Sequence, residues 1–285
     1  MTNIRLIRHR IRSIKSIANV TKAMEMVAVS KMRRAQDRSI CGRPYSEKIR
    51  KVIGDLAALS QKDTWLHPLL QRRPEDRIAV VHITPDRGLC GGLPTNINRM
   101  TLNFILEQSA PVMLICVGHK GFDFMRRSNI DVYTEFTNLC DSPSLVDTLP
   151  VSRLIIDGYI NGNIDLVYVA YTQFVSNMYQ KPVLQQVLPV KLAAFSGGTG
   201  TGYIFEPSPA AVLNELLPRF VEMGIYHVVL ESIASEQSAR MVAMHSATEN
   251  ANELIQDLTR THNKARQESV TKELLDIIGG AAAVA

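Results

Sequence analysis

Between Pro218 and Gly279 the chain has no proline, and its only glycine is Gly224. Together with the stretch that opens at Pro207-Ser-Pro-Ala, where Pro209 suits a first helical turn, this makes about 70 helix-compatible residues, on the order of 100 Å at 1.5 Å per residue. A compact domain cannot enclose such a helix. Within it Met241, Met244, Thr248, Ala251, Ile255 and Leu258 step by three and four, the spacing of a coiled-coil seam. The N-terminal segment has the same period at Ile4, Ile7, Ile11, Ile14, Ala18 and Thr21. The two ends are therefore expected to pair antiparallel, as a two-stranded rod rooted in whatever lies between them.

Other features qualify that rod. A second stripe, Ile17, Val20, Met24 and Val27, implies that the first helix is covered on more than one side, or by different neighbours along its length. Gly42 and Pro44 are expected to kink or interrupt it, because proline removes a donor and clashes with the preceding turn; helical pattern resumes through Ile49, Val52, Ile53, Leu56 and Leu59. Beyond Leu258 the seam positions become His262, Ala265 and Ser269, so the C-terminal helix outruns its partner. The tip from Glu273 to Ala285 is apolar almost throughout, and a greasy end on an exposed helix needs a socket.

The middle of the chain alternates. Arg77–Thr84, Val112–Val117 and Ile164–Tyr171 are short, apolar and β-branched, as buried strands are. Helical patterns separate them at Leu93–Gln108, His119–Arg127 and Ser144–Tyr159, the last opening on Asp141-Ser-Pro-Ser as a turn and cap. Lys181–Val190 adds an edge strand bracketed by Pro182 and Pro189. This rhythm predicts a doubly wound α/β unit. Phe195–Gly202 reads as a flexible connector. The expected organisation is a helix over 1–60, a central domain over 75–195, a linker and foot over 196–207, and a second helix over 208–285.

TPDRGLCGG, Thr84 to Gly92, follows an apolar run and invites a phosphate-binding reading. Its spacing matches neither GxxxxGK[ST] nor GxGxxG, which favours a tight structural turn. No metal cluster is expected, since the seven histidines form no HExxH and no Cys-paired spacing. No GxSxG occurs. Glu249 with Glu253 is an ordinary helix surface. A binding or mechanical protein fits better than an enzyme.

Composition narrows the class further. Hydrophobic residues make up 46% of the 285, no apolar run approaches the roughly 20 needed to cross a bilayer, and the basic start lacks a signal peptide's apolar core. That start could mimic a mitochondrial transit peptide, but its apolar spacing runs unbroken into the next segment, so an intact, cytosol-facing chain is expected. Cys41, Cys90, Cys116 and Cys140 form no CxxC pair, and reduced thiols are the default. Net charge is +5, with Arg and Lys crowded into the first 51 residues. Such an arm suits nucleic acid, anionic lipid or an acidic protein surface.

Longer stretches are more specific. Ile17–Gln36, containing TKAMEMVAVSKMRRAQ, resembles the gamma subunit of F-type ATP synthase, as does DRGLCGG. So do Tyr203-Ile-Phe-Glu-Pro207, Ala234–Met244, Ala247–Ala251, Asn263–Gln267, Thr271–Leu275 and Gly279–Ala283. The resemblance implies an antiparallel coiled coil of the terminal helices standing in a ring of alternating alpha and beta subunits. It also implies a central Rossmann-like α/β domain at the foot, against the c ring and the epsilon subunit. Such a shaft carries torque between proton flow and ATP synthesis or hydrolysis, with no cofactor of its own and no insertion into the membrane.

Carried over position by position, Arg266, Gln267 and Thr271 match residues that engage a loop of the catalytic beta subunit. Met24 lies in the matching collar, and Lys22, Arg33 and Arg34 are candidates to face acidic segments of beta. Tyr203 and Glu206 match the foot that meets the c ring or epsilon. Each has a plainer alternative: Met24 as core, the cations as a solvated face, Tyr203 as closure of the domain base. Pro94 departs from the family's usual polar residue, and Ser196–Gly202 has no specific match. The long cysteine-bearing insertion of the chloroplast form is absent, which points to a bacterial type on the cytoplasmic face of the plasma membrane. The rivals are a coiled-coil nucleic-acid binder, which predicts strongly salt-dependent affinity, and a nucleotide-dependent enzyme built on the α/β domain.

Overall fold

The structure is a computed structural model that describes residues 4–60, 67–74, 76–137, 139, 143–190 and 206–284. Two compact units divide the chain. One combines Met1–Ala28 with Met241–Ala285, and the other is Val29–Arg240. Helix α1, Ile4–Ser60, and helix α5, Pro209–Val284, each contribute to both units.

In the first unit α1 and α5 run antiparallel. Thr21 Oγ1 meets Thr248 Oγ1 at 2.7 Å, and four residues further along α1 the Glu25 carboxylate meets His245, three residues back along α5. The small seam residues explain the approach: Ala18 and Ala251 are buried, with Ile7 and Met244. All six α1 seam positions from Ile4 to Thr21 are buried or half-buried. The second stripe is bare, with Ile17, Val20 and Val27 more than half exposed and Met24 half-buried. Past Ser269 every α5 residue through Gly279 is exposed, including Leu274, Leu275, Ile277 and Ile278.

The second unit is built on a five-stranded sheet in the order β3-β2-β1-β4-β5. The strands are β1 (Ile78–Ile83), β2 (Val112–Val117), β3 (Val132–Phe136), β4 (Leu166–Phe174) and β5 (Gln180–Leu188). The pairs β1–β2, β1–β4 and β2–β3 are parallel, while β5 closes the far edge antiparallel to β4. Helices α2 (Leu93–Glu107), α3 (His119–Arg127) and α4 (Leu145–Ile160) make the crossovers. Strand alternation sorts the core into two layers. Ala79, Val81 and Ile83 face one cluster with Val151 and Ile155 of α4, Ile49, Ile53 and Leu56 of α1, and Leu213, Leu217 and Val221 of α5. Ile78 and Val80 face the other cluster with Ile97 of α2 and Met125 of α3.

The doubly wound expectation therefore stands, with two differences of detail. Strand β3, which the sequence does not announce, occupies the second edge. α1 runs without interruption through Gly42 and Pro44, correcting the expected break. One lost donor is outweighed there by burial of Ile49, Ile53 and Leu56. Gly42 has its own reason, since a Cβ would come within 2.6 Å of the His227 ring, whose Nε2 lies 2.8 Å from Ser46 Oγ. The start of α4 is fixed by Ser144 and Asp147, which satisfy each other's backbone and side-chain groups. Asp141, Cys140, the 195–202 connector and Tyr203 lie outside the described residues.

His82 is fully buried in β1, with Nε2 2.8 Å from Asn98 Oδ1 and Nδ1 3.0 Å from Thr101 Oγ1. Burial pushes its imidazole down to about 4, only partly opposed by the Asn98 bond. The unfolded chain therefore binds this proton more readily, and the fold loses stability as pH falls from the ordinary histidine value toward 4. The predicted loss is on the order of 3 kcal/mol, most of it by about pH 4.5. Urea unfolding at neutral pH and at about pH 4.5 measures it, with His82→Gln removing that part of the slope; equal slopes in both proteins would contradict the assignment.

Candidate functional site

In an open α/β sheet the crevice at the carboxyl ends of the strands, where the order reverses, is the usual ligand site. Here that reversal lies between β1 and β4, and Thr84–Gly92 follows β1. The loop bends through Leu89 and Gly91, both with positive φ (64° and 61°).

A phosphate on this loop would draw on the N–H groups at the start of α2, where Pro94 has none and the Leu93 N–H donates to Cys90 O at 3.5 Å, or on those at the start of α3 beside it. The α3 groups are taken within the chain. Asp86 Oδ1 accepts from the His119 N–H at 2.9 Å, the Pro85 carbonyl from Lys120 at 3.1 Å, and Thr84 Oγ1 from Gly121 at 2.8 Å. The contact is so close that a Cβ on Gly118, at φ 101°, would overlap the Thr84 carbonyl oxygen. On the other side of the loop the polarity is wrong for an anion: the carbonyls of Arg87 and Gly88 point at Arg240, whose Nη2 donates to them at 3.4 and 3.0 Å. Glu236 holds the same guanidinium from 2.7 Å. Arg240 falls inside the Ala234–Met244 stretch, and Glu236, four residues before it on one helix face, is the sequence signal that marks it.

The residues singled out for binding fall in several places. Lys22, exposed on α1, pairs with Glu25 at 3.1 Å. Burial tends to raise the Glu25 carboxyl, but hydrogen bonds and charge from Lys22 and His245 outweigh it and hold the group below the ordinary glutamate range. His245 bridges Glu25 and Glu249, with each carboxylate 3.3 Å away. Met24, next to Glu25 in sequence, is half-buried. Arg266, Gln267 and Thr271 are exposed on α5, and Arg266 lies about 27 Å along the axis from Thr248 at 1.5 Å per residue. The structure thus separates them from the collar. It does bring Gln267 and Thr271 onto one face with Lys264, Glu268, Lys272 and Leu275, which line a shallow groove. Arg33 and Arg34 are exposed in the second unit, as is Glu206 at the approach to α5. Among the described residues no group of metal-ligating side chains is assembled.

The described residues singled out for binding are thus exposed or half-buried, and comparison with known proteins gives the family. The family model described as ATP synthase matches residues 3–284. An ATP synthase gamma chain of Dehalococcoides mccartyi is 61% identical over 285 residues, covering the whole of both chains. One from Herpetosiphon aurantiacus is 45% identical, covering 100% of this chain and 99% of that one. Among solved structures, the rotor of the Euglena gracilis mitochondrial ATP synthase aligns with a TM-score of 0.67 at 22% identity, over 94% of this chain and 98% of that one. The central stalk and c ring of the Tetrahymena thermophila enzyme gives 0.62 at 24% identity, over 80% and 99%. At such identities these two likenesses speak for the fold. The chain belongs to the ATP synthase gamma chain family.

The filled crevice predicts that titrating the purified chain with ATP or inorganic phosphate gives no saturable heat of binding. A stoichiometric isotherm would contradict the reading of Thr84–Gly92 as a self-satisfied turn.

Proposed function

We propose that this chain is the central rotary stalk of an F-type ATP synthase, carrying torque between a membrane c ring and a ring of alternating alpha and beta subunits. Nucleotide chemistry belongs to those partners, and the chain is not catalytic alone. The observation that carries the reading is the bare end of α5. There α5 presents Gln267 and Thr271 on one face and then Leu274, Leu275, Ile277 and Ile278, all exposed among the described residues. Apolar surface of that kind needs a cover. A sleeve of partner subunits supplies one, and nonpolar contacts present few directional bonds to break as the shaft turns.

In this reading the polar groups set where the stalk pauses. Arg266, Gln267 and Thr271 engage a loop of beta near the tip. Lys22, Met24, Arg33 and Arg34 meet beta lower down, and the exposed Ile17, Val20 and Val27 stripe is covered in the assembly. Glu206, with Tyr203, forms the foot toward the c ring and epsilon. The complex would lie on the cytoplasmic face of a bacterial membrane. No described helix is long and apolar enough to cross a bilayer, consistent with a peripheral subunit.

Mixing the purified chain with alpha and beta subunits of a homologous enzyme tests the proposal. The expected product is one complex of fixed stoichiometry, with one copy of this chain per ring and steady ATPase activity; a ring that forms but excludes the chain would refute it. Within that complex, Gln267→Leu is expected to lower coupled ATP synthesis roughly fivefold, as loss of one hydrogen bond of about 1 kcal/mol would. Synthesis at the parental rate with normal assembly would remove Gln267 from the contact.

A further inference from the structure

Along α5 the buried stripe changes character. Leu213, Leu217, Val221, Ile225, Val228 and Val229 are apolar and join the core under the sheet. Near the end of this unit the buried residues, Ala234 apart, become polar: Ser232, Ser235, Gln237, Ser238 and Arg240. Three of them, Ser235, Ser238 and Arg240, donate to main-chain carbonyls at the carboxyl ends of the strands. Ser235 Oγ donates to Thr172 O at 2.8 Å, Ser238 Oγ to Asn177 O at 2.8 Å, and Arg240 to Arg87 O and Gly88 O. Gln180 Nε2, from the start of β5, donates to Ser238 Oγ at 3.2 Å.

Apolar ridges hold a helix against a sheet without fixing its angle sharply, because the attraction is non-directional. Hydrogen bonds from a planar guanidinium to two carbonyls do fix it. We infer that Arg240, backed by Ser235 and Ser238, is a torsional lock. It is a positioning residue that sets the azimuth of α5 on the sheet, so that a twist applied to this unit turns α5 instead of rolling it. The lock itself is read from geometry; its mechanical consequence rests on the stalk function proposed above. The guanidinium is well suited to the task, being only 11% exposed, neutralised by Glu236, and unable to deprotonate. Cys90 reports on it from within the clamped loop, since its thiol is 1% exposed and its Sγ lies 3.8 Å from the Arg87 oxygen that Arg240 also holds.

The test uses the assembled, membrane-bound complex with Cys41 and Cys140 replaced by serine. Arg240→Ala, Arg240→Lys and the core control Leu217→Ala are compared for maleimide labelling of Cys90, for melting temperature, and for protons pumped per ATP hydrolysed. The lock predicts that Arg240→Ala raises Cys90 labelling by about tenfold or more through local opening. It also predicts that the pumping ratio falls roughly twofold as both carbonyl bonds are lost, with Arg240→Lys intermediate because an ammonium lacks the fork. Leu217→Ala should lower the melting temperature with the ratio intact. Equal loss of coupling in Arg240→Ala and Leu217→Ala would make Arg240 an ordinary stability residue and overturn the inference. So would faster Cys90 labelling with unchanged coupling. If Arg240→Ala does not assemble, Arg240→Lys carries the same comparison. A parental complex that fails to couple would count against the stalk function, while labelling of the isolated chain would still decide whether Arg240 closes the loop.

Discussion

Everything in the first unit depends on bringing together two segments more than two hundred residues apart. Thr21 and Thr248 touch across 227 positions of sequence, flanked by Ala18 and Ala251, which are small enough to let two helix backbones approach. Neither helix could hold this length alone in water, where propensity contributes little without a packed face. Pairing supplies that face on one side only. It leaves Ile17, Val20 and Val27 bare on α1, and α5 exposed at every residue from Val270 to Gly279 among the described residues. A chain that buries its seam and exposes its second stripe is incomplete by construction, which is the physical sense in which it is a subunit.

The second unit shows the opposite economy of contacts. Its central strands β1, β2 and β4 are largely buried on both faces, and its most ligand-like feature is closed by the chain's own groups. Asp86, Pro85 and Thr84 satisfy the start of α3, and Arg240 satisfies the carbonyls of the turn. A fold that elsewhere binds nucleotides here uses the same crevice to grip a helix. Fold and function part company at that point, and the difference lies in a handful of polar contacts.

Much of this was legible in the sequence, and the reasons for the rest are specific. Strands β1, β2 and β4 announced themselves because central parallel strands are continuously apolar, and the three crossover helices because their stripes are regular. β3 did not, because it is short and lies at an edge. Tyr133 points outward and Glu135 approaches His119 at 3.3 Å, so Val-Tyr-Thr-Glu-Phe has no clean pattern. Gly42 and Pro44 signalled a break that burial of the flanking turns overrides. The period of three and four could show that 49–56 and 213–229 have apolar faces, but not that those faces pack on a sheet. Of the residues proposed to bind, Gln267 and Thr271 are suggested by family resemblance, and they line one shallow groove on α5. Arg240 is marked in the sequence only by Glu236 four residues before it, because its other partners are carbonyls, which carry no side-chain signature.

Rotation inside a ring of catalytic subunits is the property proposed for this chain on which the functional account rests. Cys41 is exposed on α1 and offers a handle for a bead or dye. With the ring subunits fixed to a surface and ATP supplied, the probe on Cys41 should turn in one direction, pausing at as many angles as there are catalytic subunits. Continued ATP hydrolysis by the same complexes while the probe stays still would contradict the stalk function at its root.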